Sequence, residues 1–300
     1  MIALDHAFLR GSYPPLVTPF RAGEVDLDTY ASLVEHQIVG GSHGITVNGT
    51  TAEPSTLTLE ERDRLVRVAV EVTNARVPVV AATGSQSHAE TVWLTERAAD
   101  AGADAVLIVT PYYVKPPQRG LVEYYRDLGA RTELPLLVYH IPGRTAVDVL
   151  PETLEAIADA APTFVGLKHA VNDLGYVADV RRRLGDDLRI FVGLEELSLP
   201  MLAVGATGMM NAVGNVAPAE IVALYEAVAS GDLDGARKRH DALFELSRAV
   251  FWDTNPTPIK YLMLRLGLLP TNEHRLPMMP ATPELEAQLD ALIERTGLRS

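Results

Sequence analysis

The amino-acid sequence predicts an α/β fold, namely a (β/α)8 TIM barrel with a C-terminal helical extension. Short β-rich apolar runs alternate eight times with amphipathic helical patterns along the chain. Most of these runs are continuously apolar, as expected for parallel strands that are covered on both faces. No G-x-G-x-x-G turn follows an early strand, which disfavours an open dinucleotide-binding sheet. Eight consecutive strand–helix units are typical of a closed barrel.

The eight predicted strands are short segments dominated by apolar residues. In chain order they cover residues 14–18, 44–48, 77–82, 103–109, 135–140, 163–168, 189–193 and 208–212. Several of the intervening helices have recognisable starts. Thr58 with Glu61, and Ser87 with Glu90, have the spacing of capping boxes.

The strand signals stop after about residue 215, and four helical patterns follow. They cover residues 218–230, 232–251, 256–266 and 283–296. The first of them completes the last strand–helix unit. We therefore predict a catalytic barrel domain over residues 1–230 and a helical extension over residues 231–300.

Composition excludes several classes of function. The chain has a net charge of −13 and a pI near 5.1, so its surface repels the phosphate backbone of nucleic acids. No apolar run approaches the roughly 18 to 20 residues that span a bilayer. The chain has no cysteine, and its first residues do not resemble a secretory signal. We expect a cytoplasmic protein without nucleic-acid or membrane partners.

Lys168 is the most informative single residue, because it is one of only four lysines and lies within the apolar run 164–170. Desolvation in a buried strand disfavours an ammonium and favours the neutral amine. The neutral amine is the nucleophile that forms imines with carbonyl substrates. An ion pair with a neighbouring carboxylate is the alternative interpretation of such a lysine.

The ends of the predicted strands supply the other candidate residues, because barrel active sites lie at the carboxyl ends of the strands. A Gly-Thr-Thr turn can offer N–H groups to a carboxylate, and an arginine can bind a second carboxylate through two hydrogen bonds. These groups suit imine chemistry on a 2-oxo acid. The candidates are Thr50, Thr51, Tyr112, Tyr113, Tyr139, Arg144 and Lys168.

Six segments together resemble the dihydrodipicolinate synthase and N-acetylneuraminate lyase family of class I, Schiff-base pyruvate lyases. They occur in the family's order across nearly the whole chain. The segments are LVTPF at 16–20, GTTAE at 49–53, TPYY at 110–113, YHIPGR at 139–144, GLK at 166–168 and NVAP at 215–218.

The resemblance implies roles for six of the seven candidates, all except Tyr112. Lys168 forms the Schiff base with pyruvate or a related 2-oxo acid, and Tyr139 is the general acid/base. Thr50 and Tyr113 complete a proton relay, for which family tetramers lend the tyrosine across a subunit interface. The N–H groups of Thr50 and Thr51 bind the carboxylate of pyruvate. The resemblance further implies that Arg144 binds an acidic aldehyde, that the protein is a homotetramer and that neither metal nor cofactor is needed.

Three departures from the family pattern leave the second substrate open. Residues 52–54 read Ala-Glu-Pro where the family usually has Gly-Glu-Ser, and His140 and His169 replace the usual Asn or Asp and Glu. The favoured function is condensation of pyruvate with aspartate semialdehyde to give 4-hydroxy-tetrahydrodipicolinate. A catabolic aldolase or dehydratase acting on a longer 2-oxo acid is the alternative, and a non-catalytic ligand-binding barrel is the third hypothesis. Strand alternation predicts that both histidines point away from the barrel interior.

Overall fold

The computed structural model describes residues 4–299 and contains eight parallel strands that form a barrel. Strands β1 to β8 are Gly11–Ser12, Ile45–Val47, Val79–Ala82, Ala105–Val109, Leu136–His140, Phe164–His169, Arg189–Val192 and Gly208–Met209. Each strand from β2 to β7 pairs in parallel with the next one, and β8 pairs with β1. The predicted barrel fold is confirmed.

The first strand differs from its prediction and explains how the barrel closes. The sequence predicts a strand over residues 14–18, whereas the regularly paired strand is Gly11–Ser12. Proline lacks the N–H that a ladder needs, so two consecutive prolines interrupt regular pairing. The chain still bridges to β2, because Leu16 N–H donates to Thr46 O and Thr46 N–H donates to Pro14 O, each at 3.0 Å.

One helix follows each strand of the barrel. Helices α1 to α8 are Leu27–Val39, Leu59–Thr73, His88–Ala101, Gln118–Arg131, Pro151–Ala160, Leu174–Leu184, Ser198–Ala203 and Pro218–Ala229. Three further helices follow, namely α9 (Leu233–Ala249), α10 (Thr257–Arg265) and α11 (Pro283–Thr296). Within residues 4–299, no helix is long and apolar enough to cross a membrane.

The capping signals were predicted correctly in one of the two helices. At α2, Thr58 Oγ1 accepts from Glu61 N–H, and the Glu61 carboxylate accepts from Thr58 N–H, which is a complete capping box. At α3, Ser87 caps the helix, but the Glu90 carboxylate accepts from Ser85 Oγ at 2.6 Å instead of returning to the cap. The predicted capping box at α3 is therefore only half formed, because a nearby hydroxyl competes for the carboxylate.

Two short elements escape the sequence patterns. An antiparallel hairpin pairs Phe20–Arg21 with Glu24–Val25. Its two central residues have φ values of 52° and 84°, as a two-residue hairpin turn requires. A single helical turn, Pro142–Thr145, follows β5. Both are too short to produce a hydrophobic periodicity.

The apolar core has two layers, as a filled barrel requires. Side chains inside the barrel form one cluster, which includes Val80, Leu107, Leu137, Tyr139, Val165, Phe191 and Met210. A larger cluster lies between the strands and the surrounding helices, and it also includes residues of α9, α10 and α11. The C-terminal helices therefore share the core of the barrel. The predicted division at residues 230 and 231 falls between α8 and α9 and stays a prediction.

Gly166 provides a test of how closely β6 and β7 approach each other. A Cβ added at Gly166 would lie 1.9 Å from the backbone oxygen of Arg189, its register partner. We expect Gly166→Ala to lower the free energy of unfolding by about 1–3 kcal/mol or more, because a backbone atom cannot move aside cheaply.

Gly143→Ala is the matched control, since no atom lies within 4 Å of its added Cβ. Chemical denaturation of the two variants and the wild type at one protein concentration measures the difference. Equal stability of the two alanine variants would contradict the close approach.

Candidate active site

A cavity of ≈ 740 Å³ opens at the carboxyl ends of β2 to β5. This is the face at which barrel enzymes build their sites. Four of the candidate residues line it, namely Thr50, Tyr112, Tyr139 and Arg144. The C-terminal part of the chain adds Asn255, Pro256, Pro277 and Met278. The cavity is therefore formed by the barrel and the helical extension together.

Lys168 and Tyr139 lie side by side inside the barrel. They are register partners on β6 and β5, and the Lys168 Nζ lies 4.5 Å from the centre of the Tyr139 ring. The two side chains are 4% and 5% exposed, so the predicted burial of the lysine is confirmed. Among the described residues, no carboxylate comes within the 4.0 Å of an ion pair with Lys168. The ion-pair interpretation of this lysine is therefore not supported.

The Gly-Thr-Thr turn brings a hydroxyl to Tyr139. Residues Thr50–Ala52 form one turn of 3₁₀ helix directly after β2. Thr50 Oγ1 lies 3.3 Å from Tyr139 Oη, which is within hydrogen-bond distance. Thr51 is buried, and its Oγ1 accepts a hydrogen bond from Asn255 Nδ2 at 2.9 Å. A hydroxyl pair next to a buried amine is an arrangement that can move protons.

Tyr113 and Arg144 are exposed to solvent, unlike the buried candidates Lys168, Tyr139 and Thr51. The Tyr113 side chain is 87% exposed and does not line the cavity of its own chain. Its φ of 71° is uncommon for a residue with a side chain, and such backbone strain is often found at functional positions. Arg144 lines the cavity and is exposed to solvent, as expected for a group that meets an incoming anion. The catalytic and binding roles of Thr50, Thr51, Tyr113, Tyr139, Arg144 and Lys168 are proposals.

His140 and His169 lie on the opposite side of the sheet from their neighbours Tyr139 and Lys168. The two Nδ1 atoms are 3.1 Å apart, His140 Nε2 lies 2.6 Å from Asp148, and the His169 ring stacks on Tyr176 of α6. Burial lowers the pKa of His169 to about 4 and also lowers the pKa of His140, although Asp148 opposes this for His140. The prediction that both histidines point outward, beneath the helices, is confirmed.

Glu195 is a candidate that the sequence analysis missed. It follows β7 and is 3% exposed, and its Oε1 accepts the Ala212 N–H at 2.5 Å. Its Oε2 has no hydrogen-bond partner among the described residues. Burial raises the pKa of Glu195 to about 7, while the Ala212 N–H and the Lys168 ammonium act in the opposite direction. The segment LEEL resembles an ordinary solvated helix start, so the sequence contains no signal for this burial.

No cluster that could hold a metal ion occurs among residues 4–299. In that part of the chain, no three histidine, aspartate or glutamate side chains come together in a suitable arrangement. The groups at and beside the cavity are an amine, hydroxyls, a guanidinium and backbone N–H groups.

Comparisons with known proteins agree with the geometry. The profile of the Dihydrodipicolinate synthetase family matches residues 8–296. A 4-hydroxy-tetrahydrodipicolinate synthase from Thermus thermophilus is 46% identical over 291 residues, covering 96% of this chain and 97% of that protein. This chain belongs to the dihydrodipicolinate synthetase family.

Solved structures extend the match to three dimensions. The crystal structure of dihydrodipicolinate synthase from Aquifex aeolicus has a TM-score of 0.94 at 36% identity, covering 96% of this chain and 98% of that chain. A structure described as the first monomeric dihydrodipicolinate synthase variant has a TM-score of 0.93 at 36% identity, covering 99% and 100%. The resemblance inferred from six segments is confirmed, and this family member is an enzyme of the lyase type.

The raised pKa of Glu195 predicts how its contribution to stability depends on pH. As the pH rises, the unfolded state loses the Glu195 proton near the ordinary pKa of 4.5, whereas the native state keeps that proton until about pH 7. The contribution is therefore fully present below pH 4.5 and is lost as the pH rises to about 7. We expect Glu195→Gln to gain stability relative to the wild type between about pH 5 and 8, by an amount on the order of 2 kcal/mol.

Unfolding curves of both proteins at about pH 5 and about pH 8 test this, because titrations elsewhere cancel in the comparison. Glu196→Gln serves as the matched control, since that neighbouring side chain is only partly buried. A stability difference that does not change with pH would mean that Glu195 ionises normally.

Proposed function

We propose that this protein is a 4-hydroxy-tetrahydrodipicolinate synthase, which condenses pyruvate with aspartate semialdehyde through an imine on Lys168. The observation that carries the proposal is the buried contact between Lys168 and Tyr139, with Thr50 within hydrogen-bond distance of the tyrosine. The synthases among its relatives support the same reaction. We further propose that the reaction uses neither metal nor cofactor.

Imine formation needs a neutral amine and a proton donor in a place with little water. The Lys168 nitrogen adds to C2 of pyruvate, and the oxygen of that carbonyl leaves as water, which gives the protonated imine. Tyr139 protonates the leaving oxygen and Thr50 exchanges the proton with it, a role supported by their 3.3 Å separation. The Tyr139 phenolate then takes a C3 proton, which gives an enamine, and C3 attacks the carbonyl carbon of the aldehyde. The new alkoxide takes that proton back from Tyr139, and the amino group of aspartate semialdehyde displaces Lys168 from C2 to close the ring.

The carboxylate of pyruvate binds at the start of the Thr50–Ala52 turn. The turn's own hydrogen bonds come from the N–H groups of Ala52 and Glu53, which donate to Gly49 O and Thr50 O. The two preceding N–H groups are the first of the turn and have no acceptor within it. Consecutive N–H groups of this kind form a concave anion site.

The second substrate approaches from the open side of the cavity. Arg144 lies there on the turn after β5, where a guanidinium can bind a carboxylate through two hydrogen bonds. This favours an acidic aldehyde over a neutral one. The catabolic alternative loses part of its support, because His140 and His169 lie beneath the helices and not in the cavity.

We also propose that the protein assembles as a homotetramer in which Tyr113 of one subunit completes the proton relay of its neighbour. Tyr113 is exposed, has a strained φ and does not line its own cavity, which suits a residue that acts in a second copy. One of the similar solved structures is described as a monomeric variant, so sedimentation of this protein tests the assembly.

Reductive trapping tests the central step. We expect pyruvate and borohydride to add one reduced pyruvyl group per chain, and peptide mapping to locate it on Lys168, because an imine becomes a stable amine on reduction. Lys168→Arg removes the adduct, whereas Lys115→Arg, which changes an exposed loop lysine, retains it. Adduct formation by the Lys168→Arg variant would contradict the mechanism. Wild-type protein that forms the adduct is then given aspartate semialdehyde. Consumption of this aldehyde indicates the synthase, and no consumption indicates the aldolase.

The role of Arg144 is tested by measuring which of the two substrates has a changed KM when this arginine is replaced. We expect Arg144→Gln to raise the KM for aspartate semialdehyde by roughly ten- to a hundredfold, because a charge-assisted contact is lost. The KM for pyruvate changes little, since its carboxylate binds at the turn. Arg119→Gln alters an exposed arginine outside the cavity and serves as the control. Equal changes in both KM values would refute the assignment.

A further inference from the structure

A buried cluster of charges joins the helical extension to the proposed carboxylate site. Glu53 Oε1 lies 2.9 Å from Lys260 Nζ of α10, and Glu53 Oε2 lies 2.9 Å from His274 Nδ1. All three side chains are 0% exposed. Lys260 Nζ also donates to Glu273 O at 2.5 Å and lies 4.6 Å from the centre of the Phe20 ring. The Lys260 ammonium and the Glu53 carboxylate are therefore both paired and hydrogen-bonded.

Such a cluster contributes little to stability for the number of charges that it buries. Burial lowers the pKa of Lys260, although the Glu53 carboxylate acts in the opposite direction. Replacing a buried ion pair with apolar residues is often neutral or stabilising, whereas removing one partner is strongly destabilising. Stability alone is therefore a weak reason for this pair, and its location suggests another.

Glu53 is the residue that ends the Thr50–Ala52 turn. It has a φ of 56°, a left-handed conformation that is uncommon for a residue with a side chain, and its N–H donates to Thr50 O. The Lys260 contact holds the side chain of a residue whose backbone is bonded to the turn. A shift of Glu53 would therefore move the N–H groups of the two threonines.

The extension holds the same turn at a second point. Asn255 Nδ2 donates to Thr51 Oγ1 at 2.9 Å, and both groups are buried. Within the barrel, Thr18 Oγ1 donates to Ala52 O at 2.7 Å. Thr51 and Ala52 of the turn, and Glu53 that ends it, thus each have a buried contact with a side chain from another part of the chain.

Charge gives a further reason for the pair. Glu53 is part of the wall of the cavity in which, under the proposed function, an anionic 2-oxo acid must bind, although its carboxylate is 0% exposed and lies behind that wall. An unpaired carboxylate so close to the cavity would repel that anion. Pairing with Lys260 both neutralises Glu53 and keeps it in place.

We propose that Lys260 and Glu53 are positioning residues for the carboxylate of the 2-oxo acid, so that the helical extension sets the geometry of the site. The inference rests on the proposed function, since it assumes that a 2-oxo acid binds at the turn. The pair acts on the N–H groups of the turn and not on the reacting atoms. Disturbing it therefore weakens binding of the 2-oxo acid more than it slows the later steps.

The experiment measures the pyruvate concentration that half-saturates borohydride trapping, which needs no second substrate. We expect Lys260→Met to raise that concentration by roughly ten- to a hundredfold, because a small displacement of positioned groups has effects of this size. The maximal extent of trapping stays near that of the wild type. Lys238→Met, which changes an exposed lysine of α9, leaves the half-saturating concentration unchanged.

A second variant covers the case in which Lys260→Met fails to fold. The double variant Glu53→Gln with Lys260→Met leaves no unpaired carboxylate in the core and is expected to fold, yet it lacks the contact that holds the turn. It too should need a roughly tenfold higher pyruvate concentration. Wild-type half-saturation in either folded variant would overturn the proposal. Absence of any adduct in the wild type would instead refute the proposed function, so the two failures are distinguishable.

Discussion

The register between β5 and β6 determines where the reactive side chains of this molecule lie. Tyr139 pairs with Lys168, and the next residues, His140 and His169, pair with each other. Because side chains alternate across a sheet, the first pair points into the barrel and the second points beneath the helices. A shift of one residue in either strand would exchange an amine for an imidazole in the interior. The proposed chemistry depends on this register before it depends on any loop.

Some ionisable side chains in the interior have a partner of opposite charge, and others do not. Lys260 and Glu53 are paired and hydrogen-bonded, as buried charges normally are. Glu195 and Lys168 make no such pair, and the pKa of Glu195 is raised to about 7. The Lys260–Glu53 pair lies beside the turn that is proposed to bind the 2-oxo acid.

The helical extension is a part of the site as well as of the core. Its apolar residues continue the layer between strands and helices, and Asn255 and Met278 line the cavity. Asn255 and Lys260 contact the turn after β2 through buried polar atoms. The eight-stranded barrel thus provides the strand ends, and the extension fixes one of the loops that connects them.

Local patterns in the amino-acid sequence were enough to establish the barrel, the order of its elements and the residues at its strand ends. These follow from periodicity, which reports burial, and from the rule that parallel strands end on one face. Lys168 was recognisable for the same reason, since a lysine in an apolar run is conspicuous. The start of β1 was misplaced because two prolines remove the N–H groups of a regular ladder while leaving the segment apolar.

The contacts between distant residues could be known only from the folded chain. The contacts of Glu53 with Lys260 and His274 join positions 207 and 221 residues apart, and no periodicity encodes such a pair. The burial of Glu195 also depends on packing, because its neighbours in the chain resemble a solvated helix start. Tyr113 was singled out by its motif, but its exposure and strained backbone became visible only in three dimensions. Local patterns thus specify elements, whereas the desolvation and pairing of polar groups depend on the complete fold.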